Sequence, residues 1–163
     1  MNRMRNNLMT MLNEGIEWVN TNKNNGCICP CCGQIAKTYK RKLNSGMAVE
    51  LINLYKLSKN SNDQWHHHSA FASVKGGEIS KLLYWGLVEE MSKDSEQAKT
   101  KTSGYWSITQ KGKMFVTRKI MVEKHIYVFD TKLLGFSDEY TDIVDSLGSK
   151  FNYQELINEQ VNL

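Results

Sequence analysis

Two stretches decide the predicted fold: ISKLLYWGLVEEM at residues 79–91 and GYWSITQKGKMFV at residues 104–116. The first begins with a helical pattern that has one apolar face and one polar face. These faces carry Ile79, Leu82 and Leu83 on one side and Ser80, Lys81 and Tyr84 on the other. Gly86 then supplies a residue that readily adopts the left-handed conformation of a helix end, and a strand follows. The second stretch predicts a strand that passes into a helix capped by Thr109.

The sequence around these stretches adds the other elements of a domain. Apolar spacing predicts a helix from about Ser45 to Ser58, with Ser45 as its N-cap. The polar segment 92–104 lies between two predicted strands, which is typical of a long hairpin tip. The predicted order is therefore helix, turn, helix, strand, hairpin, strand, helix, which is the outline of a winged helix-turn-helix.

This part of the chain resembles winged-helix regulators of the MarR and PadR type. The resemblance covers about residues 48–118, and its most specific parts are GLVE at 86–89 and TQKG at 109–112. It implies that the helix 77–85 enters the major groove of double-stranded DNA while the wing follows the backbone. The residues expected to contact DNA are Lys75, Ser80, Lys81 and Tyr84 near the helix and Lys99 and Lys101 in the wing.

Two observations weaken this expectation. Acidic residues lie among the lysines, and the predicted recognition helix has no Arg, the commonest side chain in specific base contacts. A winged helix also serves as a protein-interaction module, so the fold alone does not establish DNA binding. The alternative is that these side chains are simply solvated.

The four cysteines of the chain lie together in GCICPCCG at residues 26–33. Cys29 to Gly33 fits the zinc-knuckle form C-P-x-C-G, in which two thiolates bind one metal ion. A second pair of cysteines is missing, so the predicted ligands of a structural zinc ion are Cys27, Cys29 and Cys32 with His68 from the triplet 66–68. The alternatives are four reduced thiols without metal, or a redox Cys-x-x-Cys pair.

A basic segment follows the cysteines directly. Its cations are Lys37, Lys40, Arg41 and Lys42, with Tyr39 between them. Such a segment can bind phosphate while its aromatic ring stacks on a base, so we expect it to contribute to nucleic-acid binding. The alternative is a solvated connector before the next helix.

Charge and periodicity predict how the rest of the chain is organised. Residues 1–122 carry 18 Lys and Arg against 9 Asp and Glu, whereas residues 123–163 carry 3 against 8. Apolar spacing predicts an amphipathic helix over residues 3–19, and β-branched and aromatic residues predict a strand or hairpin over 125–137. We therefore expect a mainly helical α+β fold. Its three parts are an N-terminal helix, zinc knuckle and basic segment (1–44), a winged helix (45–122) and an acidic C-terminal strand and helix extension (123–163).

The whole layout also resembles a group of small phage-encoded proteins that lack an assigned activity. The matching pieces are CPCCG at 29–33, YKRKLNSGMA at 39–48, WGLVE at 85–89 and SGYWSITQKG at 103–112. The resemblance implies a phage or prophage origin and, with no signal peptide or membrane span predicted, a place in the host cytoplasm. We expect a double-stranded DNA-binding accessory factor of transcription or replication, with homodimerisation as a further expectation.

Two other functions are weighed against this one. The same surface could instead bind and inhibit a host protein, as host-takeover and anti-defence proteins do. An enzyme is not expected, because the sequence has no phosphate-binding glycine loop and no catalytic constellation.

Overall fold

The chain has an α+β architecture in the computed structural model, which describes residues 12–73, 78–92 and 104–159. The predicted α+β class is thereby confirmed. The residues cluster into two compact units. Unit 1 contains residues 12–41 and Ile126–Gly135, and unit 2 contains Lys42–His125, apart from the two gaps, and residues 136–159.

The described residues form five α-helices, three 3₁₀ helices and ten strands. The α-helices are α1 (Leu12–Asn22), α2 (Ser45–Asn60), α3 (Gln110–Val116), α4 (Ile143–Leu147) and α5 (Tyr153–Asn158), and 3₁₀ helices span His68–Ala70, Ile79–Trp85 and Gly148–Lys150. The strands are β1 (Cys27–Ile28), β2 (Ile35–Ala36), β3 (Tyr39–Lys42), β4 (His66–His67), β5 (Val88–Glu90), β6 (Tyr105–Ile108), β7 (Val122–Glu123), β8 (His125–Phe129), β9 (Lys132–Phe136) and β10 (Tyr140–Thr141).

Unit 1 combines one helix with two small sheets. The described part of the predicted N-terminal helix is α1, which continues to Asn22 instead of ending at Val19. Strands β1 and β2 form a hairpin around the cysteines, and a second sheet has the order β3-β8-β9. The predicted hairpin at 125–137 is confirmed, and its turn places Asp130 and Thr131 at positive φ of 47° and 61°. Positive φ at both central residues gives a two-residue turn the twist that the strands need.

Unit 2 is built around α2, which packs against α3, α4, α5 and β6. The helix is apolar on most sides, as a central helix must be. Its buried apolar residues are Met47, Ala48, Val49, Leu51, Ile52, Leu54 and Leu57. The predicted cap is displaced by one residue, because Asn44 Oδ1 accepts a hydrogen bond from Met47 N at 3.0 Å. An Asn side chain satisfies a free helix amide as well as a Ser does.

The C-terminal helices of unit 2 are tied to this core by two long-range hydrogen bonds. The ammonium of Lys56, on α2, donates to the carbonyl oxygen of Leu156 at 2.8 Å. The hydroxyl of Tyr153 donates to the carbonyl oxygen of Val116 at 3.0 Å. Asn152 caps the last helix, since its Oδ1 accepts from the backbone of Gln154. The acidic segment after the hairpin therefore packs on the helical core of unit 2.

The stretches 79–91 and 104–116 supply two strands, β5 and β6, of a three-stranded sheet in unit 2. Strand β6 is central in the order β4-β6-β5 and is antiparallel to both neighbours. The 3₁₀ helix Ile79–Trp85 precedes β5, and Gly86 ends it in the left-handed region with φ of 66°. The predicted stop at Gly86 is confirmed, while the expected α-helix over 77–85 is a 3₁₀ helix in its described part.

Thr109 and Gly112 join the sheet to α3. The hydroxyl of Thr109 accepts from Gly112 N at 3.0 Å and donates to the carbonyl oxygen of Gly86 at 2.7 Å. The predicted cap is thereby confirmed. A side chain at residue 112 would collide with the carbonyl oxygen of Leu87, so α3 can lie this close to the sheet only with glycine there. Among the described residues, no helix is long and apolar enough to cross a membrane.

Candidate nucleic-acid interface

The 3₁₀ helix Ile79–Trp85 is the described part of the predicted recognition helix, and it turns one face inward and one outward. Ile79, Leu82 and Trp85 are buried, while Ser80 is exposed and Tyr84 is half-buried. The indole nitrogen of Trp85 donates to the carbonyl oxygen of Glu123 at 2.7 Å, which fixes the inner face. The predicted core face is confirmed for Ile79 and Leu82 and is wrong for Leu83, which is exposed.

The charge of the recognition helix is locally balanced. Lys81 forms an ion pair with Glu78, whose other carboxylate oxygen accepts from Asn44 Nδ2 at 3.2 Å. The side chain of Leu83 is 40% exposed on the same short element. The outer face thus presents a hydroxyl, a paired ammonium and some apolar surface. Its positive electrostatic field is weaker than an unpaired lysine would give.

The other predicted contacts of the winged helix lie outside the described residues. These are Lys75, before the recognition helix, and Lys99 and Lys101 in the segment between β5 and β6. Their contribution to binding stays a prediction.

The predicted basic segment forms an exposed strand in the sheet of unit 1. All four residues of β3 are exposed, and so is Lys37 before it. The guanidinium of Arg41 lies 5.0 Å from the centre of the Tyr39 ring, within range of a cation–π interaction. The sheet therefore displays consecutive cations with an aromatic ring among them, which is the combination that single-strand binding surfaces use.

The cysteine turn, residues 27–36, is closed by backbone hydrogen bonds. Cys29 N donates to the carbonyl oxygen of Gln34 at 2.8 Å, Gly33 N donates to that of Cys29 at 2.8 Å, and Gly33 has φ of 73°. Backbone amides of Cys32 and Cys31 hydrogen-bond to the Cys29 sulfur and lower the pKa of its thiol. Amides aimed at a sulfur stabilise the thiolate, which is the form that binds metal.

Cys31 has a different environment from its neighbours. Its Sγ lies directly against Gly15 of α1, which is buried and leaves no room for a side chain. Loss of water raises the pKa of the Cys31 thiol, and the negative charge of Cys29 raises it further. Cys31 is therefore a packing contact between the turn and α1, a role that the sequence does not reveal because residues 15 and 31 share no motif.

The predicted zinc ligands do not form a recognised cluster. Cys27, Cys29 and Cys32 belong to unit 1, whereas His68 belongs to unit 2, where its Nε2 lies 3.1 Å from Glu50 Oε1. Among the described residues, no group of three or more His, Cys, Asp or Glu side chains is placed to hold a metal ion. The whole predicted ligand set therefore stays a prediction.

Glu50 is a buried acid that the sequence analysis missed. It lies on α2 with no exposed surface, and its Oε1 accepts from Ser73 N at 3.2 Å beside His68. Its Oε2 has no hydrogen-bond partner within the described residues. A charged residue within the apolar run AVELINLY is the signal that could have drawn attention to it.

A cavity of about 440 Å³ in unit 1 was also not predicted. It is lined by Asn24, Thr38, Lys40, Tyr127, Leu134 and Gly135. These residues come from three separate parts of the sequence, so no local pattern announces the cavity.

Comparisons with family models, with curated proteins and with solved structures gave no match. The function is therefore proposed from the geometry of the site.

Proposed function

We propose that this protein binds double-stranded DNA through unit 2, which we interpret as a winged helix. We assign it to a phage or mobile element, following the resemblance of its motifs, as an accessory factor of transcription or replication. The observation that carries the proposal is the connection of the recognition helix through Gly86 to the antiparallel sheet β4-β6-β5. A helix braced in this way by a sheet and by α2 is the arrangement that places a short helix in the major groove.

In the proposed complex the outer face of the recognition helix contacts DNA. Ser80 donates or accepts a hydrogen bond, and Lys81 exchanges its pairing with Glu78 for a phosphate. The backbone contacts then come from Lys81 and from the lysines 75, 99 and 101. Such contacts release counterions, so the affinity falls as salt is added.

A structural zinc ion is part of the proposal. Cys29 and Cys32 would hold it in the cysteine turn of unit 1, with Cys27 as a further ligand. Support comes from the amides that stabilise the Cys29 thiolate and from the C-P-x-C-G spacing. A bound zinc ion would rigidify the turn, and no chemical step is assigned to it.

Fluorescence anisotropy with a labelled 20-base-pair duplex tests the proposal. Lys81→Gln should weaken binding and lower the slope of log K against log salt by about one. Lys59→Gln is the matched control, since Lys59 is exposed near the other end of α2, roughly 22 Å along the helix axis from the Asn44 cap. Equal effects of the two variants would contradict the proposed surface.

One observation favours a second function, inhibition of a host protein. The outer face of the recognition helix combines a neutralised lysine with partly exposed Leu83, and protein interfaces prefer such surfaces to strongly charged ones. This alternative predicts that the tagged protein retains one host protein from nuclease-treated lysate and that Leu83→Glu abolishes the capture. Duplex binding without such capture would leave only the first function.

A further inference from the structure

The cavity of unit 1 combines the groups that hold a nucleotide. Tyr127 contributes an aromatic ring, Leu134 an apolar wall and Lys40 a positive charge. Asn24 and Thr38 form the polar side. A volume of about 440 Å³ lies within the range of small-molecule sites, which are largely apolar with a few placed polar groups.

The polar side of the cavity is held in place before any ligand binds. The hydroxyl of Thr38 donates to Asn24 Oδ1 at 3.0 Å, and Thr38 N donates to the carbonyl oxygen of Lys23 at 2.9 Å. These two bonds join the loop after α1 to the segment before β3. Asn24 also carries an amide nitrogen, which is a hydrogen-bond donor. Ligand binding to a site ordered in this way costs little free energy for rearrangement.

The charge around the cavity favours an anion. Lys40 belongs to the exposed strand β3, whose neighbours Arg41 and Lys42 are exposed cations. The acidic residues of unit 1 within the described part of the chain are Glu14 and Glu17 on α1 and Asp130 in the hairpin turn, and none of them lines the cavity. The described lining of the cavity therefore contains one cation, Lys40, and no carboxylate.

We propose that this cavity binds one nucleotide of a single-stranded nucleic acid, with the base between Tyr127 and Leu134 and the phosphate at Lys40. An unstacked base exposes its faces and its hydrogen-bonding edge, whereas a base within a duplex cannot enter a cavity. The neighbouring cations of β3 then follow the backbone. This site goes beyond the proposed duplex binding by unit 2 and uses different residues.

Binding of a fluorescein-labelled thymidine 12-mer tests the proposal through two variants of equal charge. Leu134→Glu places a carboxylate in the cavity and should weaken binding at least tenfold. Leu133→Glu adds the same charge one residue away, where the alternation of the strand turns the side chain to the other face, and should change the affinity less than about threefold. Leu134 is 47% exposed and Leu133 is 38% exposed, so neither variant is expected to unfold the sheet.

A second pair of variants keeps the test independent of charge. Tyr127→Phe retains the ring and should bind the 12-mer as the unchanged protein does, whereas Tyr127→Leu should lose about tenfold through the missing stacking. Equal effects of the two glutamate variants, or full binding by Tyr127→Leu, would overturn the proposal.

Two further measurements separate the sources of the ligand and the two sites. Thymidine monophosphate should compete only at concentrations far above those of the 12-mer, because it lacks the contacts to β3; competition at equal concentration would overturn the single-strand assignment in favour of a free nucleotide. Leu134→Glu should leave duplex affinity unchanged. If Lys81→Gln lost duplex binding but still bound the 12-mer, the loss would concern the duplex site of unit 2 alone.

Discussion

Gly112 has no side chain, and this allows α3 to contact the sheet. A Cβ at this position would meet the carbonyl oxygen of Leu87 and would lie 2.7 Å from Cγ1 of Ile108. Alanine favours helices over glycine by about 1 kcal/mol, so helix propensity alone predicts that Gly112→Ala stabilises the protein. We expect the opposite, a loss of about 1–3 kcal/mol in the free energy of unfolding, because a backbone oxygen cannot move aside as a flexible side chain can.

Urea unfolding followed by circular dichroism measures this loss. Lys113→Ala is the control, since Lys113 is an exposed neighbour on the same helix and its replacement should change the free energy of unfolding by less than about 0.5 kcal/mol. A Gly112→Ala variant as stable as the unchanged protein would contradict the close packing.

The cysteine turn predicts an order of thiol reactivity. Amides of Cys32 and Cys31 lower the pKa of Cys29, while loss of water and the charge of Cys29 raise the pKa of Cys31. At a given pH below both values, the group with the lower pKa has the larger thiolate fraction, and the thiolate is the reactive form. In metal-free protein at about pH 7.5, iodoacetamide should therefore modify Cys29 before Cys31, as peptide mass spectrometry can follow. Exposure alone predicts that Cys31 reacts first, so that order would contradict the account.

The junction of the recognition helix, sheet and α3 depends on the Thr109 hydroxyl. It caps α3 through Gly112 N and also binds the carbonyl oxygen of Gly86. Thr109→Val keeps the shape and removes both hydrogen bonds, so we expect a loss of about 1–2 kcal/mol in the free energy of unfolding. Thr109→Ser keeps the hydroxyl and should lose much less. A Thr109→Ser variant that loses as much stability as Thr109→Val in a thermal unfolding series would contradict this role of the hydroxyl.

For Glu78, at the start of the recognition helix, we predict that a substitution strengthens duplex binding instead of weakening it. Glu78 pairs with Lys81 and would face the phosphates with it. Glu78→Gln removes the competing carboxylate, so duplex affinity should rise a few-fold at low salt and the gain should shrink at high salt. Anisotropy titrations at two salt concentrations measure both effects. An unchanged or lower affinity would mean that Lys81 does not meet DNA.

The sequence predicts these elements where the residues that cause them are neighbours in the chain. Gly86 and Thr109 act on their immediate neighbours, so the helix end, the cap and the strands around them follow from a few residues. The cap of α2 was displaced from Ser45 to Asn44 because both residue types cap helices and adjacent positions cannot be distinguished by pattern. The 3₁₀ form of the recognition helix depends on packing, which periodicity does not describe.

Over the whole molecule, the features that the sequence did not reveal are long-range ones. Gly15 meets Cys31, Glu50 meets His68 and Ser73, and the cavity of unit 1 joins residues about a hundred positions apart. The hairpin β8–β9 was expected in a C-terminal extension, yet most of it clusters with the N-terminal segment in unit 1. Pairings of this kind are set by the tertiary fold, and a single sequence holds no local signal for them.

The proposed zinc site makes a prediction about the whole protein. Elemental analysis of purified protein should find about one zinc ion per chain, and Cys29→Ser should lower this value strongly. Cys31→Ser is the control and should keep its zinc, because the thiol at 31 lies against Gly15. A folded, zinc-free protein, or equal loss of zinc in both variants, would contradict the site.

The central claim is that unit 2 binds double-stranded DNA, and the salt dependence of duplex affinity tests it most directly. We predict measurable binding of a 20-base-pair duplex at 50 mM salt and a fall in affinity of at least about tenfold at 200 mM, as expected when several phosphates are neutralised. The contradicting result is a protein that is folded at 50 mM salt and shows no duplex binding, or binds with an affinity that salt does not change.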